Sequence, residues 1–135
     1  MEDQKEKIMV GSVRELNVYR MSFETAMEIY ELSKNFPKEE RFSLIDQIRR
    51  SSRSIPANIR EGYAKRRYEN VFIRHLNDAV GSCEETRTWL EFARDCEYIK
   101  LEEFENLDSS YDELSAMIYS LMKNWRNIED KVEVR

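Results

Sequence analysis

The most strongly charged stretch of the sequence is RRSSRSIPANIREGYAKRR, which spans residues 49–67. Seven of its nineteen residues are Arg or Lys and one is acidic, although the whole chain carries a net charge of −5. Clustered Arg and Lys side chains are the groups that contact nucleic-acid phosphates. On a helix, Arg49, Arg53 and Arg60 lie within about 40° of one another, so they can follow a phosphate backbone as a row. The candidate nucleic-acid contacts are therefore Arg49, Arg53, Arg60, Lys65, Arg66 and Arg67.

The same charges have a second interpretation, in which they stabilise the fold or the assembly. Arginines beside an apolar helix stripe occupy the positions where bundles place ion pairs between helices. Residues 38–74 hold ten Lys or Arg and five Asp or Glu, whereas the rest of the chain holds twelve and 22. A subunit with one basic and one acidic region can join its copies head to tail and close into a ring. The residues alone leave both interpretations open: a site that binds RNA or DNA, and a protein-interaction scaffold with no nucleic-acid binding.

Other site chemistry is not indicated by the residue types. His75 is the only histidine, so the Glu-x-x-His pairs of di-metal bundles are missing. Cys83 and Cys96 fall in one predicted helix about 20 Å apart, too far for a disulfide, and two cysteines alone make a poor zinc site. Glu84 and Glu85 point about 100° apart on a helix and do not form a facing carboxylate pair. We predict no catalytic, metal or cofactor site and no enzymatic activity.

Four segments must position the basic residues, because apolar residues recur in them at steps of three and four. In the first two, the predicted core positions are Leu16, Tyr19, Phe23, Ala26, Met27 and Tyr30, then Leu44, Ile45, Ile48, Ser52, Ile55 and Ile59. In the last two, they are Phe72, Leu76, Ala79, Cys83, Thr86, Leu90 and Ala93, then Phe104, Leu107, Tyr111, Leu114, Ile118, Leu121 and Trp125. Short connections favour antiparallel neighbours. The predicted fold is all-α, an antiparallel up-down-up-down four-helix bundle over residues 14–130, preceded by a flexible segment, residues 1–13.

Two residues bear on the shape of the second helix, which we expect to begin at Pro37 or Lys38. Pro56 removes one backbone hydrogen bond and costs about 3 kcal/mol inside a helix. Because the apolar stripe stays in phase from Ile48 to Ile59, we predict a proline kink rather than a break. Gly62 is predicted to be the residue that ends the helix.

Length and composition limit the class of protein. The chain has 135 residues, enough for one domain with a core. Three Gly and two Pro are too few for an all-β fold with many turns. No apolar run reaches the roughly 18 residues of a membrane span, and the N-terminus lacks the apolar region of a secretory signal. We therefore expect a cytoplasmic protein with no membrane partner.

The runs FPKEER, QIRRSSRSIPANIREG and GSCEE, taken together, resemble the bacterial 23S rRNA intervening-sequence proteins over roughly residues 16–122. The resemblance implies an antiparallel four-helix bundle that assembles into a ring, often a pentamer. Relatives include the accessory variability protein of diversity-generating retroelements, a basic pentameric barrel that binds a reverse transcriptase and nucleic acid. On this basis we expect a homo-oligomer, with a pentamer favoured, and RNA, DNA or a protein as possible partner.

The resemblance also implies a shared polar motif: Gln47, Arg50, Ser54, Pro56, Asn58, Glu61, Gly62, Gly81, Ser82 and Glu85. We interpret it as a network that holds helices two and three in register, with five structural polar residues: Gln47, Arg50, Asn58, Glu61 and Glu85. A buried pair of Arg50 with Glu85 is one form that such a network could take. Two departures are notable. Arg60 stands where the family typically has Ala, and the chain is acidic, so its body repels phosphate outside the basic stretch.

Overall fold

The computed structural model describes residues 16–134, with side chains for residues 16–125. The described residues form four α-helices: α1 (Asn17–Ser33), α2 (Leu44–Ala64), α3 (Glu69–Asp95) and α4 (Leu101–Val134). Residues 16–134 contain no strand, and α3 packs against α2 and α4 while α1 packs against the same two helices. The predicted all-α four-helix bundle is confirmed. The segment predicted to be flexible, residues 1–13, lies outside the described residues.

Contacts between neighbouring helices follow the reverse order of the sequence. Arg49, near the start of α2, reaches Ser33 at the end of α1, whereas Arg60, near the end of α2, reaches Tyr19 at the start of α1. The contacts of α2 with α3 show the same reversed order: Ser51 meets Thr86, and Asn58, further along α2, meets the earlier His75. So do the contacts of α3 with α4, where Phe72 meets Trp125 and Arg87 meets the earlier Asp108. Neighbouring helices of opposite direction produce this order.

The apolar stripes predicted for the last three helices form the core. In α3 and α4 every predicted core position is buried, and in α2 all are buried except Ile45, which is half-buried. Ile48, Ile55, Phe72, Leu76 and Ile118 are fully buried. The spacing of apolar residues therefore identified the inner faces of these helices correctly.

The predicted inner face of α1 is partly wrong. Leu16 and Ala26 are buried as predicted, but Tyr19 and Tyr30 are half-buried and Phe23 and Met27 are about half exposed. The other buried residues of α1 are Val18, Ser22, Thr25, Ile29 and Ser33. Small hydroxyl residues can face the core because each donates to a carbonyl of its own helix: Ser22 to Tyr19, Thr25 to Met21 and Ser22, and Ser33 to Tyr30. The aromatic face of α1 is consequently left on the outside.

The start of α2 differs from the prediction. Residues Lys38–Glu40 form a short 3₁₀-helix, and the α-helix begins at Leu44. The Glu40 carboxylate accepts hydrogen bonds from the Ser43 hydroxyl and the Leu44 N–H, and so caps the new helix. It also accepts a hydrogen bond from the Tyr98 hydroxyl at 2.8 Å, which ties this corner to the turn between α3 and α4.

Pro56 lies buried inside α2, which continues from Leu44 to Ala64. The helix is not broken, and the kink stays a prediction. Gly62 was predicted to end the helix, which is wrong, since α2 extends two residues beyond it. A Cβ atom at Gly62 would lie 2.5 Å from Cβ of His75, so glycine is needed there for the close approach of α3. Among residues 16–134 no helix is both long enough and apolar enough to cross a membrane.

Candidate functional site

The six candidate contacts divide between α2 and the turn that follows it; together they are called the basic patch. Arg49, Arg53 and Arg60 belong to α2, whereas Lys65, Arg66 and Arg67 lie in the turn before α3. Four of the six are exposed, and Arg49 and Arg66 are half-buried.

The α2 arginines rest on aromatic residues of α1. The guanidinium of Arg49 lies 4.8 Å from the centre of the Tyr30 ring, and its Nε donates to Ser33 Oγ at 2.8 Å. Arg53 lies 5.7 Å from the same ring. Arg60 lies 5.9 Å from the Tyr19 ring and donates to the Tyr19 hydroxyl at 3.3 Å. The outward aromatic face of α1 thus supports the row of arginines.

The turn residues rest on aromatic side chains of their own segment. Arg66 lies 4.0 Å from the centre of the Tyr63 ring and donates to the Tyr63 carbonyl at 3.0 Å. Arg67 lies 5.5 Å from the ring of the exposed Tyr68. Lys65 forms an ion pair with Glu61 at 3.0 Å. That carboxylate is exposed, and its pKa is lowered by the hydrogen bond and charge of Lys65 and by the charge of His75.

Within residues 16–125, Lys65 is the one patch residue that forms an ion pair, and the five patch arginines form none. An arginine that stacks on a ring uses the face of its guanidinium, and the N–H groups at its edge remain able to bind an anion. An interhelical ion pair does occur, but at Arg87, whose Nε lies 2.8 Å from Asp108 and whose Nη1 lies 3.2 Å from Asp112. The patch arginines therefore do not serve ion pairs between helices within the described part of the chain.

A groove runs between α1 and α2 beside these arginines; we call it the basic groove. Its volume is about 350 Å³, and its lining residues are Tyr19, Phe23, Ala26, Met27, Tyr30, Arg53, Pro56, Ala57 and Arg60. Small side chains on both helices, Ala26 and Ala57, leave the space open. The lining is apolar except for the tyrosine hydroxyls and two arginines, and it contains no carboxylate.

The other side of α1 carries the opposite charge. A shallower groove of about 650 Å³ lies between α1 and α4, and four of its lining residues are glutamates: Glu24, Glu28, Glu31 and Glu103. Met27 borders both grooves. These four glutamates are therefore separated from the basic patch by the width of one helix.

Two of the five predicted network residues meet at the contact of α2 with α3. Asn58 donates to the Ser54 carbonyl at 3.0 Å, and its side-chain oxygen lies 3.2 Å from Nδ1 of His75. Glu61 lies 3.9 Å from Nε2 of the same histidine. His75, the lone histidine, which we expected to be a surface or interface residue, thus lies at the contact between α2 and α3.

The other three network residues lie on the surface. The Arg50 side chain is 76% exposed and pairs with Asp46 of its own helix at 3.8 Å. Glu85 is exposed and accepts a hydrogen bond from Trp89 at 3.1 Å, and Gln47 is exposed. The suggested buried pair of Arg50 with Glu85 is wrong, because each residue points away from the contact between the two helices.

Two further polar pairs join α2 to α3. Ser54 and Ser82 both belong to the shared polar motif, and Ser54 donates to Ser82 at 2.6 Å. The second pair was not predicted: Thr86 donates to Ser51 at 2.8 Å, and both residues are buried. The sequence did contain a signal for this pair, because Thr86 lies in the predicted core stripe of α3 among apolar residues. A buried hydroxyl there needs a polar partner on the facing helix.

Residues 16–125 give no indication of metal or thiol chemistry. They contain no group of three or more His, Cys, Asp or Glu side chains placed to hold a metal ion. Cys83 is buried, and burial raises the pKa of its thiol to about 11, so it is a protonated core residue, whereas Cys96 is exposed.

Comparison with known proteins agrees with the bundle geometry. Residues 14–120 match the family described as 23S rRNA-intervening sequence protein. A similar solved structure is the crystal structure of a protein of unknown function from the S23 ribosomal protein family of Bacteroides thetaiotaomicron. The two chains share 36% identity with a TM-score of 0.71, over 78% of this chain and 95% of that one. No curated protein matches. The match over residues 14–120 covers most of the chain, which therefore belongs to the family of 23S rRNA-intervening sequence proteins.

Proposed function

We propose that this chain is a cytoplasmic, non-enzymatic protein that forms a homo-oligomeric ring, with five subunits favoured, and binds RNA or DNA through the basic patch. Arg49, Arg53, Arg60, Lys65, Arg66 and Arg67 contact phosphate groups, and the bundle holds them in place. The family supports the ring, since its members are expected to assemble in this way.

One observation carries the nucleic-acid part of the proposal. The five patch arginines have no ion pair within residues 16–125, although the chain is rich in carboxylates and pairs Arg87 with several of them. An arginine whose edge donors are not taken by carboxylates is suited to bind phosphate oxygens in the same geometry. The stacked tyrosines hold three of these arginines along one face of α2.

The test is binding of structured RNA and of duplex DNA as a function of salt. Six phosphate contacts predict that affinity falls about 10³-fold between about 50 and 200 mM salt. Replacing Arg53, Arg60 and Arg67 by Gln should reduce the salt slope by about 2 to 3, because three contacts are lost. The charge-matched control replaces the exposed Lys38, Lys100 and Lys123 by Gln and should leave the slope near that of the wild type. No binding at about 50 mM salt would contradict the proposal.

A protein-interaction scaffold is the second candidate, and the half-exposed Phe23 and Met27 on α1 favour it. In this alternative the patch pairs with carboxylates of a neighbouring subunit or of a partner protein. Replacing Lys65, Arg66 and Arg67 together by Glu should then dissociate the assembly, which light scattering measures as a loss of molar mass. An unchanged molar mass would count against the scaffold.

A further inference from the structure

The basic groove combines two kinds of side chain that a simple phosphate-binding surface does not need. Arg53 and Arg60 lie on its α2 side, and an aromatic ring, Phe23, is 51% exposed on its α1 side. A positively charged groove with exposed rings is the arrangement that proteins use for single-stranded nucleic acid, where phosphates meet cations and bases stack on rings.

Among the rings of the groove, Phe23 is the one available for stacking. The Tyr30 ring is covered by Arg49, Arg53 and Lys34, and the Tyr19 ring carries Arg60. The cation–ring contacts of residues 16–125 do not include Phe23, whose nearest ring is Tyr19 at 6.2 Å. One face of the Phe23 ring can thus accept a flat group without displacing an arginine.

The size of the groove matches a single base better than the edge of a duplex. Its volume of about 350 Å³ is at the lower end of the range for sites that enclose a small organic group. A duplex keeps its bases stacked inside and presents phosphates, so it would leave an apolar recess empty. Unpaired bases can turn out of the strand and stack on an aromatic side chain.

Charge decides which side of α1 the strand follows. The basic groove contains no carboxylate, whereas the groove across Met27 contains four glutamates. A polyanion is attracted along the α2 side and repelled from the α4 side.

We propose that the basic groove holds an unpaired base of a single-stranded nucleic acid, stacked on Phe23, with Arg53 and Arg60 bound to the neighbouring phosphates. This inference rests on the proposed nucleic-acid binding and names its ligand class as single strands. Pro56 and Ala57 of α2 line the groove beside the base.

The test compares a labelled single-stranded oligouridine of about 12 nucleotides with an RNA duplex of the same length, by fluorescence anisotropy. Phe23→Ala should weaken single-strand binding about 5- to 150-fold, the effect of losing one stacked base, and Phe23→Trp should retain it. The salt slope should not change, because no charge is removed. Duplex affinity should change by less than about twofold, since phosphate contacts dominate it.

Two further variants separate stacking from general damage to the protein. Ala57→Leu fills the groove while leaving Phe23, Arg53 and Arg60 unreplaced, and it should also weaken single-strand binding selectively. Phe92→Ala, at a residue of similar exposure (54%) on α3, is the matched control and should bind both ligands as the wild type does.

The outcomes distinguish this inference from the function on which it rests. If wild-type protein binds neither ligand, both proposals fail. If the wild type binds but Phe23→Ala leaves single-strand affinity unchanged, or weakens both ligands equally, the stacking site is wrong and patch binding stands. If Phe23→Ala lowers the molar mass of the protein alone, the groove is a contact between copies, and the inference is overturned.

Discussion

The two sides of α2 differ in how completely their polar groups are paired. Towards α3, Ser51 meets Thr86, Ser54 meets Ser82 and Asn58 meets His75. Towards α1, the arginines lie over tyrosine rings beside an open groove. The difference teaches that one helix can use one face to specify its packing and keep the other face available for a ligand.

Arginine shows the same contrast within one residue type. Arg87 is 26% exposed and is held between Glu84, Asp108 and Asp112. Its hydrogen bond with Asp108 raises the pKa of Arg87 above its already high ordinary value, against the opposing effect of burial. The patch arginines form no ion pair within residues 16–125, so removing them should cost binding more than stability.

The largest expected effect tests the closeness of α2 and α3. Gly62→Ala places a Cβ 2.5 Å from Cβ of His75, and this clash should destabilise the protein by about 3 kcal/mol. Gly81→Ala is the control, because open space surrounds that position and alanine favours helix by about 0.5 to 1 kcal/mol. Urea unfolding measures both. A stable Gly62→Ala protein would mean that the α2–α3 side is not tightly packed.

The next effect compares the two kinds of arginine. Arg87→Gln should cost about 1 to 2 kcal/mol, because the half-buried carboxylate of Asp108 loses its partner, whereas Arg53→Gln should cost less than about 0.5 kcal/mol. Urea unfolding of the two variants at low and high salt measures both changes in the free energy of unfolding. If Arg53→Gln is as costly as Arg87→Gln, the patch is structural and the comparison fails.

A smaller effect compares hydroxyl contacts on the two sides of α2. Thr86→Val removes the buried hydrogen bond to Ser51 and should cost about 1 kcal/mol. Tyr19→Phe removes the hydroxyl that Arg60 contacts near the surface and should cost less than about 0.5 kcal/mol. Thermal unfolding of the two variants beside the wild type checks the order, and equal shifts would contradict it.

The smallest effect is a dependence of stability on pH at the start of α2. Hydrogen bonds from Ser43 and Tyr98 lower the pKa of Glu40 below 4.5. The ionised Glu40 therefore contributes fully to folding stability above pH 4.5, and this contribution is lost on acidification. The hydrogen bond to Glu40 raises the pKa of Tyr98 from 10.0 to about 12, so that contribution is complete below pH 10 and is lost as the pH rises to about 12.

Tyr98→Phe separates this contact from other titrations. The wild type should be more stable than the variant up to pH 10, and the difference should shrink between pH 10 and about 12. Buried Tyr111, whose pKa is raised by burial, affects both proteins alike. A difference that stays constant to pH 12 would show that the hydroxyl of Tyr98 does not stabilise the corner.

The fold could be predicted because apolar spacing is a property of each helix alone. The stripes of α3 and α4 are buried throughout, and Phe72 and Trp125 meet at the same end of the bundle. The face of α1 could not be predicted from residue type, since Ser22 and Thr25 become suitable for the core only when their hydroxyls bond to their own helix.

The candidate site was predictable in composition but not in its contacts. The row of Arg49, Arg53 and Arg60 followed from helical spacing, while the tyrosines beneath it depend on how α1 is rotated against α2. The Arg50–Glu85 pair failed for the same reason: spacing assigns a residue to a face, and the relative rotation of two helices decides which faces meet.

The inner face of α1 has a consequence for how that helix is attached. The hydroxyls of Ser22, Thr25 and Ser33 donate to carbonyls of their own helix, not to a neighbouring helix. The side-chain hydrogen bonds that join α1 to another helix include two donated by patch arginines, Arg49 to Ser33 and Arg60 to Tyr19. A phosphate that binds these two guanidinium groups competes with the hydrogen bonds that hold α1 against α2. Ligand occupancy and amide exchange in α1 are thereby linked, and a saturating polyanion should speed that exchange.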